Sequence, residues 1–207
     1  MYRILVVDDD HAVTDILGRI IRQGGYETKE AHSGEEALRI LGEEAFDLIL
    51  LDVFMEPMDG WETLVKIKEN ERMKGIPVMM ITSKNVTPED MRDYSDLIED
   101  YIQKPITRKA LHELIRQFFE RVRELNTEVE KAREIGMNGA LVGEYRTLVR
   151  EIEVKERLLL LLWNVHRLSS TESKNRAELL DAIGKMESDL QARKLRVEEI
   201  RGMRENQ

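Results

Sequence analysis

The chain has no cysteine among its 207 residues, which excludes a disulfide framework and any thiolate metal centre. Proline is scarce: four residues in all, with none from Thr107 to Gln207, so nothing in the second half forces a long helix to break. Long apolar runs are also missing. The longest in the second half is Leu158 to Trp163, far below the ~20 residues that span a bilayer. Met1-Tyr2 leads straight into an apolar strand-like run, so no signal peptide is expected. A cytoplasmic protein with no membrane association is therefore expected. A basic surplus is lacking too. Residues 1–106 carry 12 basic and 23 acidic side chains, the remainder 20 and 18, and the net charge is −9. The acidity belongs to the first half and suits a divalent cation and basic partner surfaces. The nearly neutral second half shows no electrostatic footprint for nucleic acid.

What is present begins with four apolar runs, YRILVV from Tyr2, FDLILL from Phe46, PVMMI from Pro77 and LIEDYI from Leu97, with a weaker one at Tyr26 to Ala31. Runs of this length without clean alternation suit strands buried on both faces of a parallel sheet. Between them lie segments of helical period: Val13, Ile16, Leu17 and Ile20, then Ala37, Leu38 and Leu41, then Leu64, Val65 and Ile67. Five alternations of strand and helix predict a doubly wound α/β domain. Ligands in such sheets bind at the carboxyl ends of the strands. Asp8 and Asp9 end the first strand, Asp52 the third and Thr82 the fourth, and Lys104 follows the fifth. All five are expected on one edge.

Three carboxylates crowded together repel one another unless a cation sits among them. Mg²⁺, which takes one or two carboxylates and keeps water and phosphate oxygens, matches that inventory. A carboxylate can also attack phosphorus and form an acyl phosphate. Asp52 is the better nucleophile, standing alone on the central strand opposite the Asp8–Asp9 pair. Thr82 offers a hydroxyl and Lys104 a positive charge for the phosphoryl oxygens.

ILVVDDD at Ile4 to Asp10, LILLDVFMEPMDG at Leu48 to Gly60, MMITSK at Met79 to Lys84 and DYIQKPI at Asp100 to Ile106 resemble, in order and spacing, the receiver domain of two-component response regulators. The resemblance implies a flavodoxin-like, chemotaxis-receiver-like sheet of strand order 2-1-3-4-5 over a domain spanning residues 1–121. It implies that Asp52 accepts phosphate from a histidine kinase. Asp9, Asp52 and the Phe54 carbonyl would bind Mg²⁺, with Asp8 acting largely through water. Thr82 and Tyr101 would form the switch pair, Lys104 would contact the phosphate, and the Lys104–Pro105 peptide would be cis. Beyond its own phosphorylation and hydrolysis, no separate catalytic activity is expected.

Some positions depart from the family pattern. Met55-Glu56-Pro57 moves the usual proline by one place and adds a carboxylate. Phe54 is bulky where many receivers are not: it either obstructs attacking water and lengthens the phosphoryl lifetime, or packs against the first helix. Tyr94 to Asp100, before the last strand, lacks glycine, so the fourth helix, near Pro88 to Tyr94, is expected to be short or irregular.

The second half, 122–207, reads as helix almost throughout. Leu111, Ile115, Phe118, Val122, Leu125, Val129, Ala132 and Gly136 form a heptad seam that continues the last receiver helix outward. Gly136-Met137-Asn138-Gly139 should end it. A second helix from about Ala140 to Arg167 carries Leu141, Tyr145, Leu148, Ile152, Leu159 and Leu162 on one face. Its stretch Leu158 to Trp163 is apolar all round, and so is expected to be buried against several neighbours or another subunit. Ser169 to Ser173 reads as a loop, and Asn175 with Glu178 resembles a capping box. The third helix shows Leu179, Ile183, Met186, Leu190, Val197 and Ile200, interrupted by Arg193. The expectation is an antiparallel bundle or dimeric coiled coil serving as output or assembly module, with an unidentified protein partner and homodimerisation through these helices. Two alternatives stand beside it: a nucleic-acid-binding output of transcription or antitermination type, and a phosphotransfer bundle using His166. The latter rests on a faint likeness of His166-Arg167-Leu168-Ser169-Ser170 to histidine phosphotransfer motifs. His11, His32 and His112 show no metal-ligand spacing and are read as separate solvated residues. Trp61 is expected to pack at the start of the third helix, and the methionines to fill core gaps.

Overall fold

The computed structural model describes residues 1–83, 87–134, 136–168 and 173–205, without the side chains of 88, 91, 165–168, 173–176 and 204–205. Two compact units emerge: Met1–Asn85 with Asp96–Glu113, and Val86–Ser95 with Leu114–Gln207.

The first unit is a five-stranded parallel sheet of order β2-β1-β3-β4-β5. Its strands are β1 (Arg3–Val7), β2 (Glu27–Ala31), β3 (Leu48–Leu51), β4 (Val78–Thr82) and β5 (Asp100–Gln103). Every residue of β3 and β4 is buried, as a central parallel strand covered on both faces requires. β2 buries only Ala31 fully, which is why its sequence signal is weak. β5 starts at Asp100 rather than Leu97. The helices start where their caps dictate. Asp10 accepts from Ala12 N at α1 (His11–Gln23), Ser33 from Glu36 N at α2 (Gly34–Glu43), and Asp59 from Glu62 N at α3 (Gly60–Glu69).

The second unit holds α4 (Pro88–Tyr94), the greater part of α5 (Arg108–Glu134), α6 (Gly139–Leu168) and α7 (Ser173–Glu205). The expected short fourth helix is there, and Thr87 and Asp90 cap it reciprocally, each side chain accepting from the other's backbone N–H. α4 packs on α7. α5 runs unbroken for 27 residues. It ends where Gly136 turns to φ +81°, with Gly136 N–H bonded to Arg133 O and Met137 N–H to Ala132 O at 2.9 and 3.1 Å. That is a Schellman ending, and only glycine adopts its φ without strain. Asn138 then caps α6 by accepting from Ala140 N.

Contacts of Glu128 with Tyr145 and Arg121 with Glu153 set α5 antiparallel to α6. Those of Glu144 with Arg196 and Lys155 with Asp189 do the same for α6 and α7. The apolar stripes thus meet within one chain as an up-down-up bundle, around Val129, Ala132, Met137, Val142, Tyr145, Val197 and Ile200. Arg193 is accommodated on the α7 seam by Glu151 and Asp189.

Two expectations change. Leu158, Leu159 and Leu162 are buried, but Leu160 is 65% and Trp163 39% exposed, so the apolar stretch is covered on one side only. α7 begins at Ser173, so Asn175 lies inside the helix rather than opening it, and its side chain falls outside the described residues, as do Ser169 to Glu172. Among the described residues no helix is long and apolar enough to cross a membrane.

Candidate functional site

The sheet order reverses between β1 and β3, and the crevice at their carboxyl ends is where an open α/β sheet offers a site. Asp8 follows β1 and Asp52 follows β3, each on the last rung of the ladder: Asp8 N–H bonds to Ala31 O, and Asp52 N–H to Val7 O. Both carboxylates are almost fully buried, at 3 and 4% exposure. Lys104, just past β5, is held by its own N–H on Thr82 O at 2.8 Å. Its Nζ reaches across to Asp8 Oδ2 at 2.5 Å and Asp52 Oδ1 at 2.8 Å. The Lys104–Pro105 peptide is cis, as expected, and so is Glu56–Pro57, which was not.

The remaining lone pairs of the two carboxylates are met by backbone. Phe54 N–H donates to Asp52 Oδ2 at 2.6 Å, and Asp10 N–H to Asp8 Oδ1 at 3.0 Å. Burial pushes the Asp52 carboxyl above its ordinary value, and the charge of Asp8 adds to that, while Lys104 and the Phe54 amide pull it back. Burial alone would lower the Lys104 amine, but its bonds to Asp52 and Asp8 outweigh this and hold it above its ordinary value. One ammonium therefore serves two carboxylates, a pocket short of positive charge and lined with oxygen. A hard divalent cation fits that donor set. Among the described residues no group of three His, Asp or Glu side chains closes on one point to hold a metal, because Lys104 stands between Asp8 and Asp52, and Asp9 lies exposed beside them.

The other expected site residues fall as follows. Thr82 is the fully buried last residue of β4, paired in register with Gln103. Tyr101 sits opposite Met80 on β5 and is 4% exposed. Phe54 contributes its backbone beside Asp52, and the residue is 57% exposed, so it is not part of the core.

Several residues near the site were not legible as such. A Cβ on Gly60 would lie 1.9 Å from Asp52 O and 2.8 Å from Val53 Cα, so the start of α3 rests on the backbone of Asp52 itself. The glycine in Met58-Asp59-Gly60 was the available signal. The Trp61 ring is buried, as expected, and stacks on Tyr101. His11 and His32 are not apart: their rings stack with centroids 3.7 Å apart. Nor is His112 simply solvated, since its Nε2 donates to Ile20 O at 2.5 Å, tying the start of α5 to α1. His166 lies in the last turn of α6, with its side chain outside the described residues.

A doubly wound 2-1-3-4-5 sheet with two buried carboxylates and a lysine at its switch point is a flavodoxin-like, chemotaxis-receiver-like architecture. A model of the response regulator receiver domain matches residues 4–116, and the chain belongs to that family, the receivers of two-component signalling. A second model, described as Metanogen output domain 2, matches residues 121–206. The two-component response regulator ORR5 of Oryza sativa is 35% identical over 104 residues, 50% of this chain and 78% of that protein. Several other curated relatives are matched over 7 to 54% of their own length. Among solved structures, the N-terminal domain of a response regulator receiver protein from Methanoculleus marisnigri JR1 is 48% identical, with TM-score 0.50 over 56% of this chain and 95% of that one. The response regulator TrrA from Thermotoga maritima, in complex with Mg²⁺-BeF, is 29% identical, with TM-score 0.50 over 56% of this chain and 98% of its own.

Proposed function

We propose that Asp52 is a phosphoacceptor and that residues 122–207 carry the response to its modification. The observation that supports this best is the buried Asp52 carboxylate, held between Lys104 Nζ and the Phe54 amide at the sheet's switch point. One Asp52 oxygen attacks the phosphorus of a kinase phosphohistidine. The new O–P bond forms as the P–N bond breaks, and the departing imidazole keeps the electron pair and takes up a proton. Lys104, already placed against Asp52, follows the charge onto the phosphoryl oxygens, and Thr82 offers its hydroxyl from the neighbouring strand. Asp9, Asp52 and the Phe54 carbonyl are the residues that would hold Mg²⁺, with Asp8 acting through water; when bound, the cation neutralises charge between phosphoryl oxygens and carboxylates. The relative seen with Mg²⁺-BeF supports this ligand choice.

Receiver 1–121 and output 122–207 are the division we adopt, and the cytoplasm the compartment. The output is read as a protein-interaction or dimerisation module. Several of its basic side chains pair with its own acids, as Arg193 with Glu151, Lys194 with Glu156 and Arg196 with Glu144, and the region carries no basic surplus of the kind a nucleic-acid backbone attracts. Incubation with Mg²⁺ and acetyl phosphate, followed by intact-mass spectrometry, tests the core of the reading. Wild type should gain one phosphoryl group that Asp52→Asn does not. A wild type that stays unmodified, or an Asp52→Asn variant modified to the same extent, sinks it.

A further inference from the structure

The start of α3 links the phosphoacceptor to the aromatic member of the expected switch pair. Gly60 lies so close to Asp52 that a Cβ there would meet the Asp52 carbonyl oxygen at 1.9 Å, and Gly60 N–H is bonded to Val53 O at 2.9 Å. The next residue, Trp61, is 7% exposed and turns its indole toward β5. There it lies nearly parallel to the Tyr101 ring, with centroids 6.3 Å apart and planes inclined by 21°. Tyr101 is itself 4% exposed. Asp52 backbone, Gly60, Trp61 and Tyr101 therefore form one contiguous packed series that does not pass through Thr82.

We propose that Trp61 is a positioning residue for the switch: its indole face holds Tyr101 in the buried rotamer and couples that rotamer to the backbone of Asp52. This rests on the reading of Asp52 as phosphoacceptor and adds a second route from it to Tyr101. An offset aromatic pair is worth more than the area it buries, because the ring quadrupoles favour that arrangement over alternatives. The Cα from which the indole projects is also held close to β3, since only a residue without a Cβ fits against the Asp52 carbonyl at position 60 and Gly60 N–H is bonded to Val53 O. Displacing the Asp52 backbone displaces the platform on which Tyr101 rests; conversely, a platform that favours the buried rotamer favours whatever state of Asp52 goes with it.

The test is a double-mutant cycle with two readouts on the full chain. The first is the ¹⁹F resonance of 3-fluorotyrosine at position 101, assigned by its loss in Tyr101→Phe and followed without any phosphoryl mimic. The second is the affinity for beryllofluoride at saturating Mg²⁺. Trp61→Leu should move the Tyr101 resonance toward the solvent-exposed position and weaken beryllofluoride binding by roughly twofold to twelvefold, the range spanned by measured aromatic pairs. Trp61→Phe, which keeps a ring face, should recover most of both, and in a Tyr101→Ala background the loss caused by Trp61→Leu should vanish. If Trp61→Leu does not fold, Trp61→Met carries the same cycle. An unmoved Tyr101 resonance, or an equal loss of affinity with and without the Tyr101 ring, overturns the proposal and leaves Trp61 as ordinary core. A wild type that binds no beryllofluoride while its Tyr101 resonance still depends on Trp61 removes the phosphoacceptor reading and leaves the platform standing.

Discussion

Lys104 is the residue on which the electrostatics of the site turn, because one ammonium offsets two buried carboxylates. Asp52 has a raised pKa, so its contribution to stability is fully present below its ordinary value of 3.8 and is lost as pH climbs through the higher folded value. Asp52→Asn cannot ionise and still leaves Lys104 paired with Asp8. Its thermal midpoint should therefore exceed that of wild type at neutral pH, and the gap should close as pH falls toward 3.8; a gap independent of pH would contradict the raised carboxyl. Lys104 works on the alkaline side. Its stabilisation is complete below 10.5 and drains away as pH rises through its raised folded value, so Lys104→Met should flatten the alkaline limb of the stability profile. Phe54 is a different kind of residue. The sequence left two readings open, because nothing local decides whether a ring in the turn after a strand points in or out; the residue is 57% exposed, so much of it faces solvent. If the ring shields the acyl phosphate from water, Phe54→Ala should shorten the phosphoryl lifetime by up to about tenfold, a change of about 1.4 kcal/mol in barrier, read as the decay of phosphorylated protein by intact mass. An unchanged decay would leave the ring without that role.

At the scale of elements, the sequence was most legible where one physical signal acts alone. Continuous apolar runs gave β1, β3 and β4, and Gly136, the one glycine whose φ of +81° follows a long helix, marked the end of α5. Legibility failed where two signals compete. Leu158 to Trp163 reads as apolar in every direction, but a helix in an antiparallel three-helix bundle has only part of its circumference to bury, and the burial falls on Leu158, Leu159 and Leu162. Composition does not say which face wins; the neighbours do. The capping signal at Asn175 and Glu178 was likewise local, and the helix begins earlier, at Ser173. The stacking of His11 on His32 joins the start of α1 to the end of β2, a long-range contact that spacing cannot reveal. The Leu run supplies a sharp comparison. Leu158→Ala, at a fully buried position, should cost about 2–5 kcal/mol, whereas Leu160→Glu, at 65% exposure, should stay within about 0.5 kcal/mol of wild type. Urea unfolding of both variants decides it; equal losses would mean that the run is buried all round after all.

For the whole molecule, the proposed role of Asp52 raises the question of how an event there would reach the helices of residues 122–207. α5 begins at Arg108, four residues after Lys104, and continues without a break to Glu134. If a change at its start is passed on, this unbroken helix is the covalent route for it. Its far end packs in the core shared with α6 and α7 through Val129 and Ala132, and the exposed Leu160 and Trp163 lie on the same bundle. If Asp52 is phosphorylated as proposed, charge is added in a pocket where Lys104 is already shared, and Lys104 would redistribute between Asp8, Asp52 and the new oxygens. We therefore expect light scattering behind size exclusion, with Mg²⁺ and beryllofluoride, to show a change in mass or hydrodynamic size for wild type and none for Asp52→Ala. Leu160→Glu separates the two forms such a change can take: a gain in mass that this variant abolishes is assembly through the bundle's open apolar face, whereas a change in size that survives it is rearrangement within one chain. A wild type that keeps one unchanged mass and size while Asp52 still takes up phosphate would show that the bundle is a fixed scaffold, and the signal would then have to be read from the receiver's own surface.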